Sequence, residues 1–281
     1  MGDLNESLPE GVISLPVIDL SRSRHEVSRA ILDAGKNIGL FKVINHGVTE
    51  QAMRDMEAAC REFFALPAED KAAFYLEDND KTNRYFSGTT YETGGNNYWT
   101  DCLRVGCSFP VDGSKNSWPD KPENLREVVP KLSVLTRDMG MEVLPPQCDR
   151  NLLSLLLPST VPGLQYSFKG EWINVHPLLN AFIVNLGLPL EVVSNGMLKS
   201  IEHRVVTNMT MAQTSVGMFI TPTKDCLITP AMDFVGEENP PRYHPVTYRE
   251  FNRIHGSVKH GLSSVKMTSL ENIEEIISTK M

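Results

Sequence analysis

The chain has 281 residues, 41% hydrophobic and 22% charged, ordinary proportions that exclude disordered and collagen-like classes. Its 27 basic residues stand against 35 acidic ones, and the net charge of −8 removes the global basic field on which nucleic-acid binding relies. No apolar run approaches the ~18 residues of a membrane span, the first ten residues lack a signal-peptide core, and five scattered cysteines without a C-x-x-C pair indicate the reducing cytoplasm.

The first half reads as helical with one early strand. Leu15-Pro-Val-Ile-Asp-Leu20 is a short apolar strand, and a helix is expected from about Arg24 to Asn37. Gly39-Leu-Phe-Lys-Val-Ile-Asn45 returns to β character through its branched and aromatic residues, closed by Gly47. Thr49 is an N-cap for a helix whose Met53, Met56, Cys60, Phe63 and Phe64 share one face of a 3.6-residue period. Leu66-Pro67 stops it, and a short helix opens at Pro67 or Ala68. Glu77 to Gly95 is polar and glycine-punctuated, which predicts a long loop. A helix follows from about Glu123 to Leu144, with a kink expected at Pro130.

After Pro145-Pro146 the pattern turns to short β-rich segments. These are Leu152–Leu157, Leu164–Phe168, Trp172–Val175, Ala181–Leu186, Leu190–Ser194, Ile201–Val206 and Thr214–Ile220. Lys169-Gly170 and Asn195-Gly196 stand where tight hairpin turns belong. Short strands at this spacing predict a sandwich or barrel, and a helical stretch near Thr247–Ile254 closes the pattern. The fold expected is α+β, with helices supporting an antiparallel β-sandwich. Three regions follow: 1–144, helical with strands; 145–235, the sandwich; and 236–281, a helical tail.

Several motifs recur in a recognisable order. Pro16-Val-Ile-Asp-Leu20 and Val43-Ile-Asn-His-Gly47 lead. Val161-Pro-Gly-Leu-Gln165, Trp172-Ile-Asn-Val175, Val184-Asn-Leu-Gly187, Lys199-Ser-Ile-Glu-His-Arg-Val205 and Asn239-Pro-Pro-Arg-Tyr243 follow. Together they resemble the plant Fe(II)/2-oxoglutarate dioxygenases over nearly the whole chain, nearest to the branch acting on deoxymugineic acid and hyoscyamine. The resemblance implies a double-stranded β-helix, or jelly roll, with supporting N-terminal helices. It also implies Fe(II) and 2-oxoglutarate as cofactors, ascorbate as an accompanying reductant, and hydroxylation of a small plant metabolite. No nucleic acid, membrane or specific protein partner is implied.

That family holds iron with His-x-Asp and a distal His, leaving positions for cosubstrate and oxygen; imidazole and carboxylate suit Fe(II). Carried over by position, the resemblance puts the metal ligands at Asp149 and His203, 54 positions apart, while the first His position holds Gln147. Without the flanking motifs, Asp149 and His203 would read equally well as an ordinary polar pair. An Arg-x-Ser pair ten residues past the distal His clamps 2-oxoglutarate; here those positions are Gln213 and Ser215, so the Arg is replaced. Leu144-Pro-Pro-Gln147 joins the long helix directly to the site, where the family has several tens of residues with one further helix and one strand. The fold is therefore expected to lack that helix and strand, and turnover to be weak or absent. A non-catalytic small-molecule-binding relative, or a truncated splice or gene product, is the alternative reading.

Overall fold

The structure, a computed structural model, describes residues 14–76, 83–87, 101–107, 109, 111–143, 153–206 and 210–257. Gln147 and Asp149 lie outside the described residues.

Local signals place most elements. Strand β1 (Val17–Asp19) is followed by helix α1 (Arg24–Asn37). A reciprocal cap starts that helix: the Ser23 hydroxyl accepts from the Glu26 N–H, and the Glu26 carboxylate accepts from the Ser23 N–H. Strand β2 (Leu40–Ile44) precedes α2 (Glu50–Ala65), capped by Thr49 as its sequence predicts, and the short α3 (Ala68–Ala72). Strands β3 (Arg84–Ser87) and β4 (Asp101–Arg104) pair antiparallel, so the region read as loop from Glu77 contains a strand. Only four residues long, β3 offers too short a run for alternation to register. Helix α4 (Leu125–Val143) runs unbroken through Pro130.

The β-rich half supplies β5 (Leu153–Leu157), β6 (Leu164–Phe168), β7 (Glu171–Asn174) and β8 (Phe182–Leu186). Next comes α5 (Leu188–Val193), where a strand was expected over Leu190–Ser194. Gly187 at the N-cap and Pro189 in the first turn start a helix there, and that outweighs the β preference of Val192 and Val193. In consequence the Asn195-Gly196 turn, with φ of 53° and 81°, follows a helix and is not a hairpin turn. By contrast Lys169-Gly170, with φ of 52° and 87°, joins β6 to β7 as the sequence predicts. Strands β9 (His203–Val205), β10 (Val216–Ile220), β11 (Leu227–Ile228) and β12 (Val246–Thr247) and helix α6 (Tyr248–Ser257) follow. No helix among the described residues is long and apolar enough to cross a membrane.

The chain divides into two compact units, one drawn from residues 1–46, 149–223 and 227–245, the other from residues 47–148, 224–226 and 246–281. The first unit holds a five-stranded sheet in the order β1-β2-β8-β5-β10 and a three-stranded sheet in the order β7-β6-β9. All pairings are antiparallel except β1 with β2. Leu40 and Ile183 from the larger sheet pack against Leu164 and Tyr166 from the smaller, with Leu15 and Val175 in the same buried cluster. Two sheets closed face to face over one apolar layer make the jelly roll. In the second unit α2 packs on α4. Its fully buried Trp118 donates its indole N–H to the Gly106 carbonyl at 3.0 Å.

Candidate active site

Strand alternation decides which side chains enter the space between the sheets. In the smaller sheet His203 lies opposite Tyr166, Arg204 opposite Gln165 and Val205 opposite Leu164. Residues directly opposite share a face, so His203 and Val205 project on the side of the buried Tyr166 and Leu164. Arg204 points to the other face, where it donates to the Gln165 side-chain oxygen at 2.8 Å and stacks 4.0 Å over the Trp172 ring.

His203 is exposed, and its Nδ1 lies 3.2 Å from the Ile201 carbonyl, which only accepts, so Nδ1 is the donor there. Among the described residues, no three His, Cys, Asp or Glu side chains converge as a metal-binding group. The other two positions of the expected metal face, Gln147 and Asp149, lie outside the described residues.

Gln213 and Ser215 share a small cavity with Leu156, Val175, Ile183 and Val205. The Gln213 amide packs directly on Gly163, whose missing side chain gives it the room; a Cβ at Gly163 would run into the amide. The cavity is about 20 Å³, room for roughly one water molecule. Among the described residues, its lining contains no lysine, arginine or other charged side chain.

The larger sheet contributes three polar residues that the sequence reading did not single out. By register, Lys42, Asn185 and Ser154 share the inner face with Leu40, Ile183 and Leu156. Lys42 is buried, and burial lowers its pKa. It lies directly opposite Ile183, which lines the Gln213 cavity, but is not itself among the described residues of that lining. The Tyr166 hydroxyl and the Asn185 side-chain oxygen are buried without a hydrogen-bond partner. Only strand parity, applied once the register is known, identifies these residues.

The His46 Nε2 lies 3.0 Å from the Asn180 carbonyl and its ring meets Phe182 edge-on at 4.9 Å. His176 and His244 are exposed. Cys60, Cys102, Cys107 and Cys226 are free thiols, and burial raises the pKa of the first three, Cys60 to about 11.

Residues 15–124 match the model of the N-terminal region of non-haem dioxygenases, named for morphine synthesis, and residues 119–222 match that of the 2OG-Fe(II) oxygenase superfamily. The 2'-deoxymugineic-acid 2'-dioxygenase of Hordeum vulgare is 49% identical over 310 aligned positions, covering 95% of this chain and 91% of the relative. Hyoscyamine 6-dioxygenase of Hyoscyamus niger is 35% identical, covering 89% of this chain and 88% of the relative. A crystal structure of JOX2 in complex with 2OG, Fe and JA superposes with a TM-score of 0.80 at 26% identity, covering 92% of this chain and 90% of that one. The 310 positions aligned with the barley relative exceed the 281 residues of this chain by 29, so at least that many positions there have no counterpart here.

Proposed function

The chain belongs to the 2OG-Fe(II) oxygenase superfamily, and from that premise we propose that it is a member whose dicarboxylate and metal sites are degraded, leaving weak or no hydroxylation of a small plant metabolite. Fe(II) and 2-oxoglutarate are the cofactors of the family. The iron would supply oxygen activation, with His203 Nε2 and Asp149 as its protein ligands. Gln147, a neutral amide, is a poor third donor where imidazole is wanted.

The fit fails most plainly on the cosubstrate side. One observation carries the reading: Gln213, packed on Gly163, lines a cavity with room for about one water and no charged side chain among its described residues. A carboxylate brought there would lose its hydration without gaining a cation, and removing one partner of a buried ion pair costs ~3–5 kcal/mol. That loss corresponds to roughly 10²- to 10³-fold in affinity. Four free thiols among the described residues support a reducing, cytoplasmic setting. The negative net charge argues against a nucleic-acid partner.

Succinate release is the test. Purified protein supplied with Fe(II), ascorbate and 2-oxoglutarate should form no more succinate than a no-protein control, and calorimetry should find no tight 2-oxoglutarate site. Iron-dependent succinate above the control would sink the reading. The shortfall against the barley relative favours a second reading, a shortened product of a longer gene. Comparing transcript with genomic sequence across Leu144-Pro145 distinguishes it: a shortened product leaves additional coding sequence in the gene at that junction, whereas a degraded member lacks it in both.

A further inference from the structure

The larger sheet of the first unit ends at β10, which pairs with β5 along its whole length and has no described strand on its other side. Proteins ordinarily blunt such an edge with a charge, a proline or a bulge. Here Val216-Gly-Met-Phe-Ile220 carries none of these. No charged residue stands between Thr214 and Thr221, Pro222 lies beyond the strand, and the register with β5 runs without interruption from Val216–Leu157 to Ile220–Leu153. Phe219 is 70% exposed.

The strand is also complementary to itself. Laid antiparallel against a second copy about a two-fold axis at Met218, Val216 meets Ile220, and Gly217 meets Phe219 on the face that looks between the sheets. The Phe219 ring already reaches over Gly217 in its own strand, where an added Cβ would stand 3.1 Å from it. In the pair, each ring therefore lies beside a position without a side chain, and the two rings approach along the diagonal within aromatic reach. Covering a glycine with a cross-strand aromatic is a known stabiliser of edge strands. A register slipped two residues either way sets Phe219 against Phe219 or Gly217 against Gly217 and shortens the overlap.

We propose that β10 is a self-association edge, through which two copies of this chain join their larger sheets in one continuous antiparallel sheet. The contact is isologous, so it closes as a dimer. Two five-residue strands bury less than the ~1,200 Å² of a standard stable interface, so dimer and monomer exchange with concentration. The proposal does not depend on whether the chain turns over.

Sedimentation velocity of the full chain over an about hundred-fold dilution series, with hydrogen exchange of the 216–220 amides on the same samples, tests it. The expected result is a shift from monomer to dimer with concentration, and protection of those amides that rises in step. Phe219→Lys should weaken dimerisation at least about ten-fold by removing both ring–glycine contacts and charging the edge. Its cost to folding is small because Phe219 is largely exposed, and an unchanged melting temperature checks this. Leu179→Lys, at another exposed apolar residue, should leave association unchanged. A monomer at every concentration would overturn the proposal. So would a dimer indifferent to Phe219→Lys, or 216–220 amides equally protected at all dilutions.

Discussion

At the scale of single residues, the polar groups between the sheets set the character of the first unit. His203, exposed on the smaller sheet, donates from Nδ1 to the Ile201 carbonyl. The same unit holds a cavity with no charged side chain among its described lining and two buried polar atoms, on Tyr166 and Asn185, that find no partner. Each such atom costs about 1–3 kcal/mol relative to a satisfied one, a cost that a polar ligand in that space would remove. His46 behaves differently because its neighbours are complete. Burial lowers its pKa below the ordinary 6.5, and the bond to the Asn180 carbonyl offsets this only in part. Unfolded chains therefore bind a proton at His46 at a higher pH than folded ones. As pH falls through 6.5 toward the folded value, the unfolded state gains protons first, so His46 makes stability fall with falling pH in that window. Urea unfolding of His46→Gln between pH 7 and pH 5 should give a shallower dependence than the parent chain, within the range where histidine titrates. Equal slopes would show that His46 is not the group responsible.

At the scale of elements, close approach matters more than propensity. Gly39 links α1 to β2 with φ of +82°, and a Cβ there would run into the Lys199 backbone carbonyl. Nearby, the Lys199 N–H donates to the Gly35 carbonyl at 2.9 Å, tying the segment before β9 to the end of α1. Gly39→Ala faces both a left-handed backbone and an immovable carbonyl, so it should cost at least about 2 kcal/mol. A denaturation midpoint close to that of the parent chain would contradict this. Gly47→Ala is the control: its φ is +78°, but nothing lies within 4 Å of an added Cβ, so it should lose only the backbone part. The same contrast explains why α5 was read as a strand. Val192 and Val193 favour β structure only weakly, whereas Gly187-Leu-Pro189 starts a helix, and the buried Glu191 then accepts from the Ser200 N–H at 2.7 Å and the Tyr243 hydroxyl at 3.3 Å. Those partners lie 9 and 52 positions along the chain. No local window contains them.

At the scale of the whole molecule, the question is whether restoring side chains restores chemistry. Gln147→His with Gln213→Arg returns the imidazole and the guanidinium of the family pattern. We expect the double variant to gain Fe(II) affinity but little succinate formation, because at least 29 aligned positions of the barley relative have no counterpart here and the family resemblance implies that a strand helping to bind the cosubstrate is among them. A site held more than ~0.5 Å from its working geometry is present but inactive. Calorimetry with Mn(II) beside a succinate assay separates the two effects, and robust turnover by the double variant would show the absent positions to be dispensable. The sequence by itself determined the family, the jelly-roll strands β5 to β8, the capped helices α1 and α2 and the turn at Lys169-Gly170. Each of these rests on local periodicity, caps or ordered motifs. It also put Gln147 and Gln213 where the family resemblance implies His and Arg. Only the tertiary structure decided that Lys42, Tyr166 and Asn185 face the interior, that Gln213 is seated by Gly163, and that β10 is a sheet edge. The reason is register: alternation along a strand states that two faces exist, but only the partner strand fixes which of them is buried and where a sheet ends.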